Sequence, residues 1–263
     1  MIYIVLAVLI FWGFNSEPFP WIGIIVSAIA LGFVIYRILP NFFAMQGNKA
    51  YNNDDIKNTK KYYDKAISFN HSKINISITY LLILMRIGEL DKALKLADSL
   101  TTHPKATQSE KYIVKEYRCL IYHKQGNSQE ALDDAKEIFS NFKNTTIYGL
   151  LGYLMLACNE PISEIMDLCI EAYDYNSDDR DIVDNMVLAY YKNGEYEKAE
   201  ELASELIEMS PTFVEAHYHS ALIAKAMGKT EKAKAFLDNM DDCIRTALTT
   251  VSEEEIEILR KSL

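Results

Sequence analysis

Apolar positions follow two different patterns along this chain. Residues 1–14, MIYIVLAVLIFWGF, carry no charge, and residues 21–39, WIGIIVSAIALGFVIYRIL, carry none before Arg37. As helices they extend roughly 21 and 28 Å, against a hydrocarbon core of about 30 Å. Between them lies NSEPFP, whose Pro18 and Pro20 forbid a continuous helix. Trp12 and Trp21 flank that turn, and Tyr36 with Arg37 marks the opposite end, as interfacial anchors do. The pattern predicts a transmembrane helical hairpin over residues 1–39 with its turn at 15–20. Two other readings stay open: a single span with residues 1–14 interfacial, and a cleaved signal peptide. The second lacks the basic n-region it needs, because no Lys or Arg precedes Arg37. The turn holds Glu17 and no cation, whereas Arg37, Lys49 and Lys57 follow the second stretch. The positive-inside rule therefore predicts a cytoplasmic location for residues 40–263.

After residue 39 the apolar period becomes that of amphipathic helices in pairs. In RDIVDNMVLAYYKNGEYEKAEELASELIEMSP, residues 180–211, two helical stretches meet at Asn193-Gly194. With Tyr190, Gly194, Tyr196, Ala199 and Pro211 at this order and spacing, the segment resembles the tetratricopeptide repeat, a 34-residue helix–turn–helix unit. It departs from that pattern at Val183, where the family has tryptophan. Steps of 34 from Arg180 reach Thr146, Tyr112 and Val214, and Gly194 recurs as Gly126 and Gly228. Ala199 recurs as Ala131 and Ala233. In the unit starting at Thr146, Glu160 stands at the turn and Ile165 replaces the alanine. The step from Gly88 to Gly126 is 38, which predicts a first helix one turn longer, opened by a Thr107/Glu110 capping box. A last step back reaches Pro40, with Asp54 at its turn.

The chain is thus read as an all-α protein: an anchor over 1–39, then a right-handed solenoid of six helix pairs over 40–73, 74–111, 112–145, 146–179, 180–213 and 214–247. A capping helix over 248–263, opened by Ser252 and Glu255, covers the last pair. Pro40 is expected to open the first helix of the first pair, a position that tolerates proline.

The resemblance implies that first helices line a concave, partner-binding surface, with positions 2, 5, 9, 12 and 13 of each unit pointing into it. Position 9 is Leu82, Leu120, Leu154, Leu188 and Leu222 in five successive units, and position 5 includes Glu116, Asp184 and Tyr218. No Lys or Arg stands at either position, so the family's clamp for a C-terminal carboxylate is not expected. The surface reads as an apolar stripe with acidic margins at Glu116, Asp181, Asp184 and Glu215. It suits an apolar or basic-amphipathic segment of a protein partner. The competing reading makes the leucines packing residues between neighbouring first helices. Leu154 and Leu188, at mid-solenoid, are expected to be at least half exposed.

Composition adds exclusions. The chain has 263 residues, with 27 basic against 37 acidic side chains for a net charge of −10, a poor match to phosphate backbones. Its 4 cysteines form no disulfide framework. Cys119 and Cys169 fall where helices pack, and Cys158 and Cys243 have no ligand neighbours at metal spacing. His217 and His219, two apart, do not share a helix face, so no metal site is expected. Gly149-Leu150-Leu151-Gly152 lies inside a helix and lacks the Lys-Ser/Thr of a phosphate loop. No nucleophile, base and orienter assemble, so neither an enzyme, a cofactor nor a small-molecule substrate is expected. Richness in Ile, Lys, Asn and Tyr points to an AT-rich bacterial genome. The functions that remain are a membrane-anchored scaffold or adaptor at the cytoplasmic face and, as the alternative, an extracytoplasmic chaperone or assembly factor.

Overall fold

The structure is a computed structural model that describes residues 7, 8, 11 and 21–263. The expected first span and the turn at 15–20 lie outside the described residues, except that Ala7, Val8 and Phe11 are helical. Among the described residues the fold is all-helical, and the chain divides into two compact units, 1–80 and 81–263.

The first unit is built on α1 (Trp21–Asn52) and α2 (Ile56–Ile67). Helix α1 runs for 32 residues straight through Pro40. The expected break between anchor and first repeat at 39/40 is therefore absent. Proline removes one backbone donor, and the carbonyl left over, that of Tyr36, accepts instead from the His71 ring at 3.0 Å. Its stretch Gly23–Asn52 reaches a mean hydropathy of 2.0 and is long and apolar enough to cross a membrane, a test a signal sequence also passes. The turn to α2 places Asp54 at φ 57°. Gly47 lets the two helices close up: a Cβ there would lie 2.6 Å from the ring of Tyr63. That ring is fully buried and stacks on Tyr80 with centroids 4.9 Å apart.

Helix α3 (Ile74–Arg86) carries the chain across the division into the second unit. There α4 (Leu90–Thr101), α5 (Gln108–Lys124), α6 (Ser128–Asn141), α7 (Thr145–Ala157), α8 (Ile162–Tyr175), α9 (Arg180–Lys192), α10 (Tyr196–Glu208), α11 (Val214–Ala226) and α12 (Thr230–Asn239) follow in antiparallel succession. Helix α5 has 17 residues against 13 in α7, α9 and α11, and the Thr107/Glu110 capping box closes its start. Second helices bury small residues, Ala131, Ala135, Ala199 and Ala203, which let neighbouring helices approach.

Turn residues with φ > 0 mark the repeat: Gly88, Gly126, Gly194 and Gly228. Between Gly126 and Gly194 the same conformation belongs to Asn159 (φ 54°), not to Glu160 as the 34-residue count expected. Glu160 is an extra turn residue, and α7 begins one residue early, at Thr145. Asparagine tolerates the left-handed region better than glutamate. The intervals become 33 and 35 residues, so the first helix of this unit is displaced by one position while its second helix keeps register. Ile165 packs at the level of Ala131 and Ala199, all three buried.

After α12 a 3₁₀ turn (Met240–Asp242) leads into an extended segment, and α13 (Glu253–Lys261) closes the chain behind a Ser252/Glu255 capping box. Ile256 and Leu259 of α13 bury themselves with Val214, Ala221, Ala233 and Leu237. The expected cap begins at 248, but residues 248–252 are not helical.

Candidate binding groove

First helices of the second unit face a common groove. Its floor is made by α5, α7 and α9, and Thr212, Phe213 and Glu215 close one end. Two glycines in α7 bring α9 close. A Cβ on Gly152 would approach Asn185 Nδ2 to 3.0 Å, and that amide donates to the Gly149 carbonyl at 2.8 Å. The Gly149–Gly152 pair, no phosphate loop, is a helix-packing device.

The extended segment after the 3₁₀ turn crosses the groove as a strap. Its Ile244 N–H donates to the Thr212 carbonyl at 2.8 Å, and its Ala247 N–H to the Arg86 carbonyl at 2.9 Å. Lys124 Nζ donates to the Thr249 carbonyl at 2.9 Å. The Thr250 N–H and hydroxyl both donate to Glu215. A cavity of about 510 Å³ remains between strap and helices.

Of the residues expected on the concave face, Glu116, Leu120 and Asp184 line this cavity, and so do the acidic margins Asp181 and Glu215. Leu154 does not, being 0% exposed within the core; the expectation that it is half exposed is wrong. The displaced register is the reason: Tyr153, not Leu154, is level with Leu120 and Leu188, and Tyr153 lines the cavity. Leu188 is half-buried and packs against the core. Leu82, Leu222 and Tyr218 are half-buried away from the cavity, the last two against the C-terminal cluster. Sequence reasoning placed Leu150 at a groove position, but it missed Tyr117 and the whole strap. The threonines of TALTT were a signal for an extended segment with locally satisfied amides, as in the Leu248 N–H to Thr246 hydroxyl bond at 3.1 Å.

Burial dominates the groove's electrostatics. Desolvation pushes the Glu116 carboxyl up to about 7, partly offset by a 3.0 Å hydrogen bond from Asn144. Asp181 opens onto the cavity, but the protein crowded around its carboxyl strips it of water and, with the charges of Asp179, Asp184 and Glu215, pushes it up to about 6. Asp184 accepts from His219 Nδ1 at 2.9 Å. Burial alone disfavours the imidazolium of His219, but the charge and hydrogen bond of Asp184, with help from Glu215, outweigh it and raise the pKa. His123 Nε2 meets the Tyr153 hydroxyl at 2.7 Å. Among the described residues no three His, Cys, Asp or Glu side chains converge to hold a metal ion.

Stacked helix pairs with a turn glycine and a groove on the first-helix side define a helical-repeat protein. More narrowly, the fold is that of tetratricopeptide-repeat proteins. The family model described as tetratricopeptide repeat matches residues 214–239. A tetratricopeptide repeat protein from Parabacteroides merdae is similar with TM-score 0.56 at 17% identity, over 85% of this chain and 84% of that one. So is TTC0263 of Thermus thermophilus, a thermophilic protein of the same kind, with TM-score 0.56 at 16% identity over 72% and 98%. Pseudomonas aeruginosa pilF gives TM-score 0.56 at 14% identity over 86% and 99%. No curated protein matches this chain.

Proposed function

We propose that this protein is a membrane-anchored scaffold whose repeats hold a segment of a protein partner at the cytoplasmic face. The observation that carries the reading is the groove itself: a concave, first-helix surface whose walls combine Leu120, Leu150 and Phe213 with Glu116, Asp181 and Asp184. Apolar and acidic groups in one trough fit an apolar segment that also bears Lys or Arg.

The anchor reading is supported by α1. Ile24, Ile29 and Leu31 are more than 60% exposed, a surface that water does not favour and lipid does. The same helix continues into the packed pair with α2, where Gly47 meets Tyr63. Cleavage as a signal peptide would cut a helix that is continuous with the first repeat. Orientation rests on the cations Arg37, Lys49 and Lys57 beyond the apolar stretch.

Two measurements test the proposal. A reporter active only in the cytoplasm, fused after Leu263, is expected to work; protease digestion of the repeats from outside intact cells would overturn the orientation. Crosslinking in mild detergent, followed by identification of co-purified proteins, is expected to give a partner whose capture is lost when Leu120 or Leu150 is replaced by Glu. Capture unchanged in both variants would remove the groove from the reading.

A further inference from the structure

The cavity beneath the strap has more acid than base in its walls. Glu116, Asp179, Asp181, Asp184 and Glu215 line it, and among the described residues Arg86 is the one Lys or Arg side chain there. Besides Glu116, three of these carboxylates have donors. Asp184 takes His219, Glu215 takes Thr250, and Asp179 caps α9 through the N–H groups of Asp181 and Ile182. Glu116 is different. It is 1% exposed, its Oε1 takes the Asn144 amide, and its buried Oε2 has no hydrogen-bond donor. A buried carboxyl oxygen left unpaired is costly in either state: protonated it lacks an acceptor, ionised it lacks a donor. Asp181, exposed within the same cavity, supplies a second acidic wall.

We infer that this cavity binds an organic cation, an ammonium or guanidinium head on an aliphatic stem, with Glu116 and Asp181 receiving the head. The volume of about 510 Å³ falls in the range of small-ligand sites, about 300–1,000 Å³. Leu120, Leu150 and Phe213 offer an apolar wall for the stem. The carboxylates are spread around the cavity, with no three His, Cys, Asp or Glu converging among the described residues, so the site suits an extended cation better than a metal ion. The inference deepens the scaffold reading and rests on it: the head is a Lys or Arg side chain of the docked segment. A free polyamine is the other source of the same chemistry.

Entry of a cation carries a proton signature. Burial keeps Glu116 largely protonated below pH 7 and about half protonated at it. A fixed positive charge beside it stabilises the carboxylate, so the carboxyl proton leaves to buffer as the ion pair forms. Surface carboxylates, already ionised at that pH, release nothing when a cation binds them.

The test uses the full chain in a neutral detergent at low salt and pH 7. The titrants are spermidine and the blocked tripeptide acetyl-Ala-Lys-Ala-amide, with acetyl-Ala-Gln-Ala-amide as control. Calorimetry in two buffers of different ionisation enthalpy is expected to show saturable binding of a cation with proton release. Glu116→Gln is expected to weaken binding at least tenfold and abolish the proton release, with an unchanged or higher melting temperature of the free protein. Tighter binding of the tripeptide assigns the head to a partner side chain, and tighter binding of spermidine to a free polyamine. No saturable heat with either cation, or equal affinity in Glu116→Gln, overturns the inference. If neither cation binds while partner capture still depends on Leu120 and Leu150, the scaffold reading stands and the cation site alone falls.

Discussion

The ring of His71 reaches back to the carbonyl of Tyr36, with Nε2 3.0 Å from the oxygen. That carbonyl is the one that Pro40, having no N–H, leaves without its helical donor. Nε2 must carry the ring proton, and Tyr36 and His71 also lie ring against ring at 4.4 Å. A side chain from beyond α2 thus repairs the backbone of α1 where the apolar stretch passes into the packed pair.

This relationship sets up a double-mutant cycle. His71→Ala is expected to destabilise the first unit by about 0.5–1.5 kcal/mol, the net worth of one hydrogen bond. Pro40→Ala restores a donor to Tyr36, so in that background the cost of His71→Ala should shrink to the lost ring contact. Thermal unfolding of the four proteins in detergent measures the coupling. Equal costs of His71→Ala in both backgrounds would show that the hydrogen bond does not compensate the proline.

Leu154 and Leu188 hold the same count in a strict 34-residue repeat but different places in the fold. Leu154 is 0% exposed, and Leu154→Glu would bury an unpaired charge. It is expected to unfold the second unit, seen as loss of the cooperative melt. Leu188 is half-buried, and Leu188→Glu should leave a folded protein with a lowered melting temperature. Tyr153→Glu, at the position level with Leu188, should also remain folded. Similar melting temperatures for Leu154→Glu and Tyr153→Glu would show that the one-residue displacement of α7 is wrong.

Much of this architecture was legible before any coordinates. Gly88, Gly126, Gly194 and Gly228 occur where a helix pair must reverse with φ > 0, and that requirement selects glycine strongly enough to read the period. The displacement in the unit between them was not legible, because Glu160 fell on the counted position and Asn159, one residue before, met the same backbone requirement. The groove's acids Glu116, Asp181, Asp184 and Glu215 followed from helix-face arithmetic. The strap did not: it is a non-local pairing of residues 244–250 with Arg86, Lys124 and Thr212, and no local period encodes it. Continuity of α1 through Pro40 depended likewise on a distant His71.

The strap makes a measurable claim about exchange. Residues 244–250 have no regular secondary structure, yet the N–H groups of Ile244, Ala247 and Thr250 are bonded to the groove. Their amide hydrogens should exchange much more slowly than those of an open loop. Lys124→Met removes the donor to the Thr249 carbonyl and should speed exchange across 244–250 while sparing the core of α9 and α10. Exchange at solvent rates in the wild-type protein would mean that the strap does not occupy the groove in solution.

Glu116 gives stability a defined pH dependence. In the folded protein burial holds its carboxyl up at about 7, whereas an unfolded glutamate ionises near 4.5. Between these values the folded state binds more protons than the unfolded state, so stability falls as pH rises through this window. At about 1.36 kcal/mol per pH unit, the loss approaches about 3 kcal/mol by pH 7 for a side chain that is 1% exposed. The raised imidazole of His219 acts in the same direction, its contribution being complete below about 6.5 and lost as pH rises through the folded value. Glu200, lowered by hydrogen bonds from Lys229 and Lys232, acts oppositely and at lower pH, since its contribution is lost as pH falls below the ordinary glutamate range. Glu116→Gln keeps an acceptor for Asn144 and removes the titration. Denaturant unfolding at a series of pH values should therefore show wild type and variant converging near pH 4.5 and the variant ahead by about 2–3 kcal/mol at pH 7.5. Parallel profiles across that range would show that Glu116 ionises in the folded protein as it does in the unfolded chain.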